Sequence, residues 1–278
     1  MNLTAQQLGR LVDDMLAEDL GSGDVTAETV IPEAARLRAA IVAREPLVVA
    51  GLPIAIEVFK RLAPECVFDR ACEDGDTVEA GAVILRVAGP ARALLSAERP
   101  ALNSLQHLSG IATLTAAYVR RIKGAGAVLL DTRKTIPGLR RLAKYATRIG
   151  GAQNHRMGLY DAILIKDNHI AIAGGVSAAV AAAKSGSSLP VEVECDTLSQ
   201  VDDAVAAGAD RLLLDNMGPA KLRQAMEIVA GRVPLEASGG INLDNIRAVA
   251  ETGVDYISVG RITQSAPAMD IGLDYLDE

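Results

Sequence analysis

The sequence predicts an α/β protein built on a parallel sheet, either an incomplete β/α barrel or a doubly wound sheet. Three observations carry this. Beyond Gly124, six short apolar runs alternate with helical stretches, the signature of parallel strands joined by crossover helices. Each run ends in charged or polar residues or glycine, as barrel strands do at the face that carries chemistry. Half of the 278 residues are hydrophobic and only 3% aromatic, the make-up of an aliphatic α/β core.

The N-terminal elements come first. Leu3 to Leu20 reads as a helix, with Leu8, Leu11, Val12, Met15 and Leu16 at helical spacing and Thr4 as N-cap. Gly21–Asp24 ends it. Ala39–Ala43 and Leu47–Ala50 read as short strands. Pro53–Leu62 reads as a helix stopped before Pro64. Glu73–Val87 carries turn signals at Gly75-Asp76 and Ala80-Gly81 and resembles the hairpin of biotinyl or lipoyl carrier modules. A carrier needs a lysine at the hairpin tip, and none occurs between Arg61 and Leu108, so the piece reads as sheet scaffold. Ser96–Lys123 reads as a long helix, with Pro100 in its first turn and Leu102, Leu105, Leu108, Ile111 and Leu114 on one face.

The six runs follow: Val128–Leu130, Ala162–Ile165, Val191–Val193, Arg211–Leu214, Leu235–Ala237 and Tyr256–Val259. Helical stretches at 177–184, 198–207, 219–229 and 243–252 separate the later ones. Six strands fall short of eight, so a barrel would be incomplete or have strands elsewhere; a doubly wound sheet would concentrate its site at one switch point.

Composition excludes several classes. A net charge of −7 argues against a general nucleic-acid binder. No apolar stretch approaches the roughly twenty residues a membrane span needs. The N-terminus is acidic and amphipathic, with no secretory layout. Cys66, Cys72 and Cys195 form neither a disulfide framework nor zinc-like spacing. The expectation is a cytoplasmic protein with reduced thiols and no nucleic-acid or membrane partner.

Against the acidic background, residues 131–170 hold eight Lys/Arg and three acids, together with His155 and His169. A basic block flanked by apolar runs implies a local anionic partner. Arg140, Arg141, Lys144 and Arg148 read as a wet helix face opposite Leu139, Leu142, Tyr145 and Ile149. Arg133, Lys134, His155, Arg156 and Lys166 sit at strand ends or in loops and read as functional. Arginine's fork matches carboxylates and lysine suits phosphate, so several together imply a ligand with more than one anionic group. Glu194 and Asp215, at later strand ends, could hold Mg²⁺, bond sugar hydroxyls or stabilise a cationic transition state, or merely pair with a neighbouring cation. Ser238-Gly239-Gly240 and Gly260, at the last two strand ends, suit phosphate, with the next helix N-terminus adding its dipole. No GxSxG elbow or activated cysteine is present. A covalent route would fall to Lys134 or Lys166 as a Schiff-base lysine.

The stretches LNSLQHLSGIAT (102–113), DTRKTIPGLR (131–140), GGAQNHRMGLYDAILIKDNHI (150–170), VEVECDTL (191–198), LLLDNM (212–217), EASGGI (236–241) and GVDYISVGRITQSAPAMDIGLD (253–274) together resemble the quinolinate phosphoribosyltransferase family, and they span nearly the whole chain in family order. The resemblance implies an N-terminal α/β sandwich-like domain (1–110) with dimer contacts and an incomplete α/β barrel (111–278) whose C-terminus returns toward the first domain. It implies the reaction of quinolinate with phosphoribosyl pyrophosphate to give nicotinate mononucleotide, pyrophosphate and CO₂ in NAD biosynthesis, with Mg²⁺. It also implies a homodimer with shared sites, alone or within a hexamer.

By motif position, Arg133, His155, Arg156 and Lys166 would surround the quinolinate carboxylates, beside Thr132. Lys134 would hold pyrophosphate. Glu194 and Asp215 would contact the ribose and Mg²⁺ and, with Lys134 and Lys166, form the catalytic set. Ser238, Gly239, Gly240, Val259 and Gly260 would bind the 5′-phosphate, with Arg261 adjoining. Arg99 would reach the partner's site. Arg261 and Gln264 depart from the small residue and histidine usual in the family, and Pro100 adjoins Arg99. The rivals are a paralogous phosphoribosyltransferase of the molybdenum-transport-associated type, a non-catalytic sugar-phosphate sensor, and a Schiff-base aldolase.

Overall fold

The computed structural model describes residues 4–276. In chain order its elements are α1 (Ala5–Leu20), α2 (Val25–Val30), β1 (Arg36–Ala43), β2 (Leu47–Val48), α3 (Leu52–Leu62), β3 (Val67–Arg70), β4 (Thr77–Val78), β5 (Val83–Pro90), α4 (Ala91–Ile122), β6 (Val128–Leu130), α5 (Arg140–Ile149), β7 (Ile163–Ile165), α6 (Asp167–Ala173), α7 (Val176–Gly186), β8 (Val191–Cys195), α8 (Leu198–Ala206), β9 (Arg211–Asp215), α9 (Pro219–Val229), β10 (Leu235–Ser238), α10 (Ile246–Ala250), β11 (Tyr256–Ser258), α11 (Arg261–Gln264) and β12 (Ile271–Tyr275). They fall into two compact units. One holds the described residues up to Leu114, Arg141–Gly150 and those from Ala266 on; the other holds Thr115–Arg140 and Gly151–Ser265.

The first unit is built on an antiparallel sheet in the order β12-β1-β5-β3, with a separate β2-β4 ladder. The central strand, β1, is buried from Ala39 to Ala43 because it is paired on both edges, by β12 and by β5. Helix α1 starts where Thr4 predicts: Gln7 N–H donates to Thr4 Oγ1 at 3.2 Å, and Thr4 N–H to Gln7 Oε1 at 3.0 Å. Leu3, in the expected span, lies outside the described residues. Asp24, expected only as a terminator, caps the short α2 through Ala27 N–H at 2.9 Å. The α3 N-terminus begins at Gly51, and its orphan amides are capped from a distance. Asp74 accepts Gly51 N–H and Leu52 N–H, each at 2.9 Å, and also the Tyr145 hydroxyl.

Three expectations need correction here. The 73–87 segment is not a self-paired hairpin: β4 pairs with β2, while β5 pairs with β1 and β3. Pro100 is not in a first turn, because α4 begins at Ala91 and runs through it. An interior proline costs about 3 kcal/mol. Burial of Leu94, Ala97, Ala101, Leu102 and Leu105 offsets it, at roughly 1.5–3 kcal/mol for each large apolar side chain. Lys144 is not on a wet face; it is 1% exposed in the middle of α5, flanked by buried Ala143 and Tyr145.

The second unit contains six parallel strands in the order β6-β11-β10-β9-β8-β7. This is the expected incomplete barrel. The sequential strands β6 and β7 lie at opposite edges, so the ring stays open between them. Gln153 forms a parallel bridge to Leu130 on the free edge of β6, where a further strand would otherwise pair. Leu212 and Leu214 of β9 and Val191, Val193 and Cys195 of β8 are fully buried, as strands covered by helices require. Among the described residues no helix is long and apolar enough to cross a membrane.

Candidate active site

The period of two along each strand sets the site. It puts Glu192 and Glu194 of β8 on one face, with Arg211, Leu213 and Asp215 of β9, Glu236 and Ser238 of β10, and Tyr256 and Ser258 of β11 on theirs. Of these, Glu194, Leu213, Asp215, Glu236, Ser238 and Ser258 line a cavity of about 580 Å³ in the second unit. The residues that follow the strands complete it.

One side is cationic. Thr132, Arg133 and Lys134 follow β6, His155 and Arg156 follow the Gln153 bridge, and Lys166 follows β7; all line the cavity. Asp131, fully buried, fixes two of these segments together. Its carboxylate accepts His155 N–H at 2.9 Å and Asn154 Nδ2–H at 2.6 Å. Arg140 pins the first segment through Thr135 Oγ1 at 3.2 Å and the Arg133 carbonyl at 3.4 Å, and reaches the Met157 carbonyl at 3.2 Å. It is half-buried structural glue, where a solvated residue was expected. Arg133 Nε is buried without a hydrogen-bond partner. Burial, and then the charge of Arg133, hold the Arg156 pKa below the ordinary arginine value. Two crowded guanidiniums, one with an unsatisfied donor, suit a multiply charged anion.

The other side pairs acids with glycine turns. Lys166 Nζ forms an ion pair with Glu194. Burial and the charge of Asp196 raise the Asp215 pKa, against the pull of Lys166 and Lys134. Asn216 donates from Nδ2 to Asp215 Oδ2 at 2.7 Å and from its backbone to the Ser238 carbonyl at 2.9 Å. Gly239 has φ +88° and lies so close to Asn216 that a Cβ would sit 2.2 Å from its Oδ1, so only glycine fits there. A Cβ on Gly260 would meet Lys134 Cδ at 2.8 Å. The helix expected over 243–252 runs only from Ile246 to Ala250, and α11, after Gly260, has four residues. Any anion at these turns therefore meets loop amides more than a helix dipole.

At the wall of the cavity, His155, expected among the carboxylate-binding residues, is tied into a charge cluster with Glu192, Glu236 and Arg211, none of which was expected there from the sequence. His155 Nε2 is 3.1 Å from Glu192 Oε2 and 3.5 Å from Glu236 Oε2. Arg211 Nη1 is 3.5 Å from Glu236 Oε2, its Nε is 4.0 Å from Glu192 Oε1, and its guanidinium stacks on Tyr256 at 4.3 Å. Burial opposes charge on the imidazole, but the bonds to Glu192 and Glu236 and their charges outweigh it and raise its pKa to about 9. Yet the Arg156 backbone N–H is directed at His155 Nδ1 at 2.7 Å. A nitrogen that accepts carries no proton, so the ring donates from Nε2 and the extra proton sits on the carboxylate side. Glu192, whose pKa is raised by burial and by Glu236, is its natural holder. The His155, Glu192 and Glu236 ligand atoms lie within 4.8 Å of one another. With Arg211 already supplying the cation, the group is charge-balanced as it stands. The signal in the sequence was the alternation VEVEC, which puts Glu192 on the same face as Glu194.

Every site residue expected from the sequence lines the cavity except Arg99, which lies on α4 in the first unit, 56% exposed and 3.9 Å from Glu98. Arg261 and Gln264, the departures from the family pattern, also line it. Burial pushes the Cys195 thiol up to about 12, as suits a core residue and not a nucleophile.

An open β/α barrel whose strand ends combine glycine turns, carboxylates and an arginine recess defines an enzyme scaffold for anionic, phosphate-bearing substrates. The quinolinate phosphoribosyl transferase models match residues 24–109 (N-terminal domain) and 111–274 (C-terminal domain). The chain is 44% identical to the nicotinate-nucleotide pyrophosphorylase [carboxylating] of Mycobacterium leprae over 93% of this chain and 94% of that protein. It is 43% identical to the probable nicotinate-nucleotide pyrophosphorylase [carboxylating] of Bacillus subtilis over 96% and 93%. The solved nicotinate-nucleotide pyrophosphorylase of Francisella tularensis superposes with a TM-score of 0.95 at 42% identity, covering 99% of this chain and 98% of that one. The chain belongs to the quinolinate phosphoribosyltransferase family.

Proposed function

We propose that the chain is a cytoplasmic nicotinate-nucleotide pyrophosphorylase (carboxylating). It transfers the phosphoribosyl group of phosphoribosyl pyrophosphate to quinolinate with loss of CO₂, giving nicotinate mononucleotide and pyrophosphate for NAD biosynthesis. The observation that carries this reading is the crowding of Arg133 and Arg156, with a buried unsatisfied Nε, in the same cavity as Glu194, Asp215 and the Ser238–Gly240 turn. A dicarboxylate answers the first feature, and a ribosyl phosphate the others.

In this reading Arg133, Arg156 and Lys166 hold the two quinolinate carboxylates, and Lys134 holds pyrophosphate. Ser238, Gly239, Gly240, Val259 and Gly260 take the 5′-phosphate, with Arg261 and Thr132 at the margins. The ring nitrogen of quinolinate bonds to C1 of the ribosyl group as the C1–O bond breaks, and that electron pair leaves with pyrophosphate. Positive charge grows on the sugar, and the carboxylates of Glu194 and Asp215 stabilise it. The bond from C2 to its carboxylate then breaks. Its electron pair stays on C2, stabilised by the adjacent pyridinium nitrogen, until C2 takes a proton. The chain supplies orientation and charge complementarity and needs no nucleophile. Glu194 and Asp215 offer the hard oxygen donors that Mg²⁺ prefers, and a divalent cation would offset the cost of ionising Asp215, which burial and the charge of Asp196 raise. When bound there, Mg²⁺ would neutralise charge on the departing pyrophosphate. Arg99 serves the site of a second copy in a homodimer, alone or within a hexamer.

The test is an assay of CO₂ release and mononucleotide formation from phosphoribosyl pyrophosphate and Mg²⁺, with quinolinate in one tube and nicotinate in another. Turnover is expected with quinolinate alone. Turnover with nicotinate, or with neither, would overturn the reading.

A further inference from the structure

His155 is held by protein atoms on every polar side that matters. Its backbone N–H goes to Asp131 at 2.9 Å, its Nε2 points to Glu192 and Glu236, and its Nδ1 receives the Arg156 backbone N–H at 2.7 Å. Glu236 is fully buried, and neither of its oxygens makes a hydrogen bond of normal length. Burying an acid in this way is costly, so its place against the imidazole and Arg211 calls for an explanation. The strands supply one. Glu192 and Glu236 stand on β8 and β10, with β9 and its Arg211 between them, so their carboxylates are fixed by the sheet itself.

We propose that Glu192 and Glu236, braced by Arg211, are positioning residues. Through the fixed tautomer of His155 they aim Arg156 at one carboxylate of the acceptor, and so set the preference for a dicarboxylate. This deepens the reading of the pocket given above and rests on it. The chain of contacts is short. The carboxylates hold the Nε2–H, which leaves Nδ1 bare. A bare Nδ1 accepts the Arg156 amide and fixes the backbone from which that guanidinium extends. Its Nη1 is then held against the Ala162 carbonyl at 3.3 Å. Arg156 adjoins Arg133, so a small rotation would separate the two guanidiniums from their shared ligand. The Ser238–Gly240 turn follows Glu236 on β10 but is held by its own contacts, the Ser238 carbonyl by Asn216 N–H and Gly239 by the Asn216 side chain, while Gly260 packs on Lys134.

The test uses the full-length enzyme with Glu236→Gln and, independently, Glu192→Gln. Quinolinate KM, phosphoribosyl pyrophosphate KM and kcat are measured, together with the ¹⁵N signals of His155 and thermal unfolding. Glu236→Gln should raise quinolinate KM about tenfold and leave phosphoribosyl pyrophosphate KM within about twofold. The His155 nitrogens should move from a fixed Nε2–H tautomer toward an averaged signal. Glu192→Gln should change the same quantities in the same direction, and it carries the test if Glu236→Gln does not fold. Unchanged quinolinate KM in both variants, or an equal rise in both KM values with lowered Tm, overturns the inference. Failure of the unaltered enzyme to use quinolinate overturns the underlying reading instead, and is seen before any variant is made.

Discussion

At the scale of single residues, Arg133 has an unsatisfied buried Nε, and burial and the Arg133 charge lower the Arg156 pKa. Removing either should weaken the hold on a dicarboxylate, because one of its two guanidinium partners is lost. Arg133→Ala or Arg156→Ala should lower kcat/KM for quinolinate by more than about tenfold, which is about 1.4 kcal/mol. Steady-state kinetics check this, and unchanged values in both variants would sink the pocket assignment. These arginines were legible in the sequence because they fall where apolar runs end. Glu192 and Glu236 were not, because an acid inside a strand reads as one polar step in an alternation. Only the assembled sheet shows that the step is buried at the cavity wall. Lys144 misled for the opposite reason: a period of 3.6 places it with Arg141 and Arg148, while the fold buries its face.

At the scale of elements, the cap on α3 comes from Asp74, more than twenty residues beyond the helix start. Periodicity located the helix but could not locate its cap, since local capping rules look only at neighbouring positions. Gly51 and Leu52 are buried, so water cannot replace the lost acceptor. Asp74→Ala should therefore destabilise the first unit by about 3 kcal/mol, from charged hydrogen bonds worth roughly 1.5–3 kcal/mol each. Thermal unfolding should show a fall of several degrees; an unmoved transition would mean the cap is dispensable. Helix α4 gives the complementary lesson. Its apolar face was legible from Leu102 onward, but Pro100 suggested a start that tertiary burial overrides.

At the scale of the molecule, stability should fall in acid and decline in two stages as pH rises past neutrality. Asp24 and Asp210 have pKa values held below 3.8, chiefly by the backbone N–H groups of Ala27 and Val191. Their contribution is present above 3.8 and is lost as pH falls through their folded values. Burial raises Cys195 from 9.0 to about 12 and raises Tyr145 above 10.0. Groups that keep their protons longer when folded contribute fully below those unfolded values, and the contribution is lost as pH rises through the folded ones. His155, raised against burial from 6.5 to about 9 by its bonds to Glu192 and Glu236, adds an earlier loss between those two values. Melting temperatures measured across pH should therefore begin to decline above neutrality and fall further in the strongly alkaline range; a level response up to about pH 9 would contradict this. The six strands were readable because each is a compact apolar run. The order in which they join was not, because pairing of β6 with β11 spans half the chain and leaves no local mark.

The same long-range pairing has a bearing on how the chain is made. Strand β1 takes its second neighbour from β12, so Ala39 waits for Tyr275. On a ribosome that delivers the N-terminus first, β1 waits with one edge bare until Ile271–Tyr275 has been made. An unpaired edge invites other chains. The strand meets this interval with alanines from 39 to 40 and arginines at 36 and 38, a weakly sticky and charged margin. Synthesis of Ile271–Tyr275 thus completes the sheet that Arg36–Ala43 began.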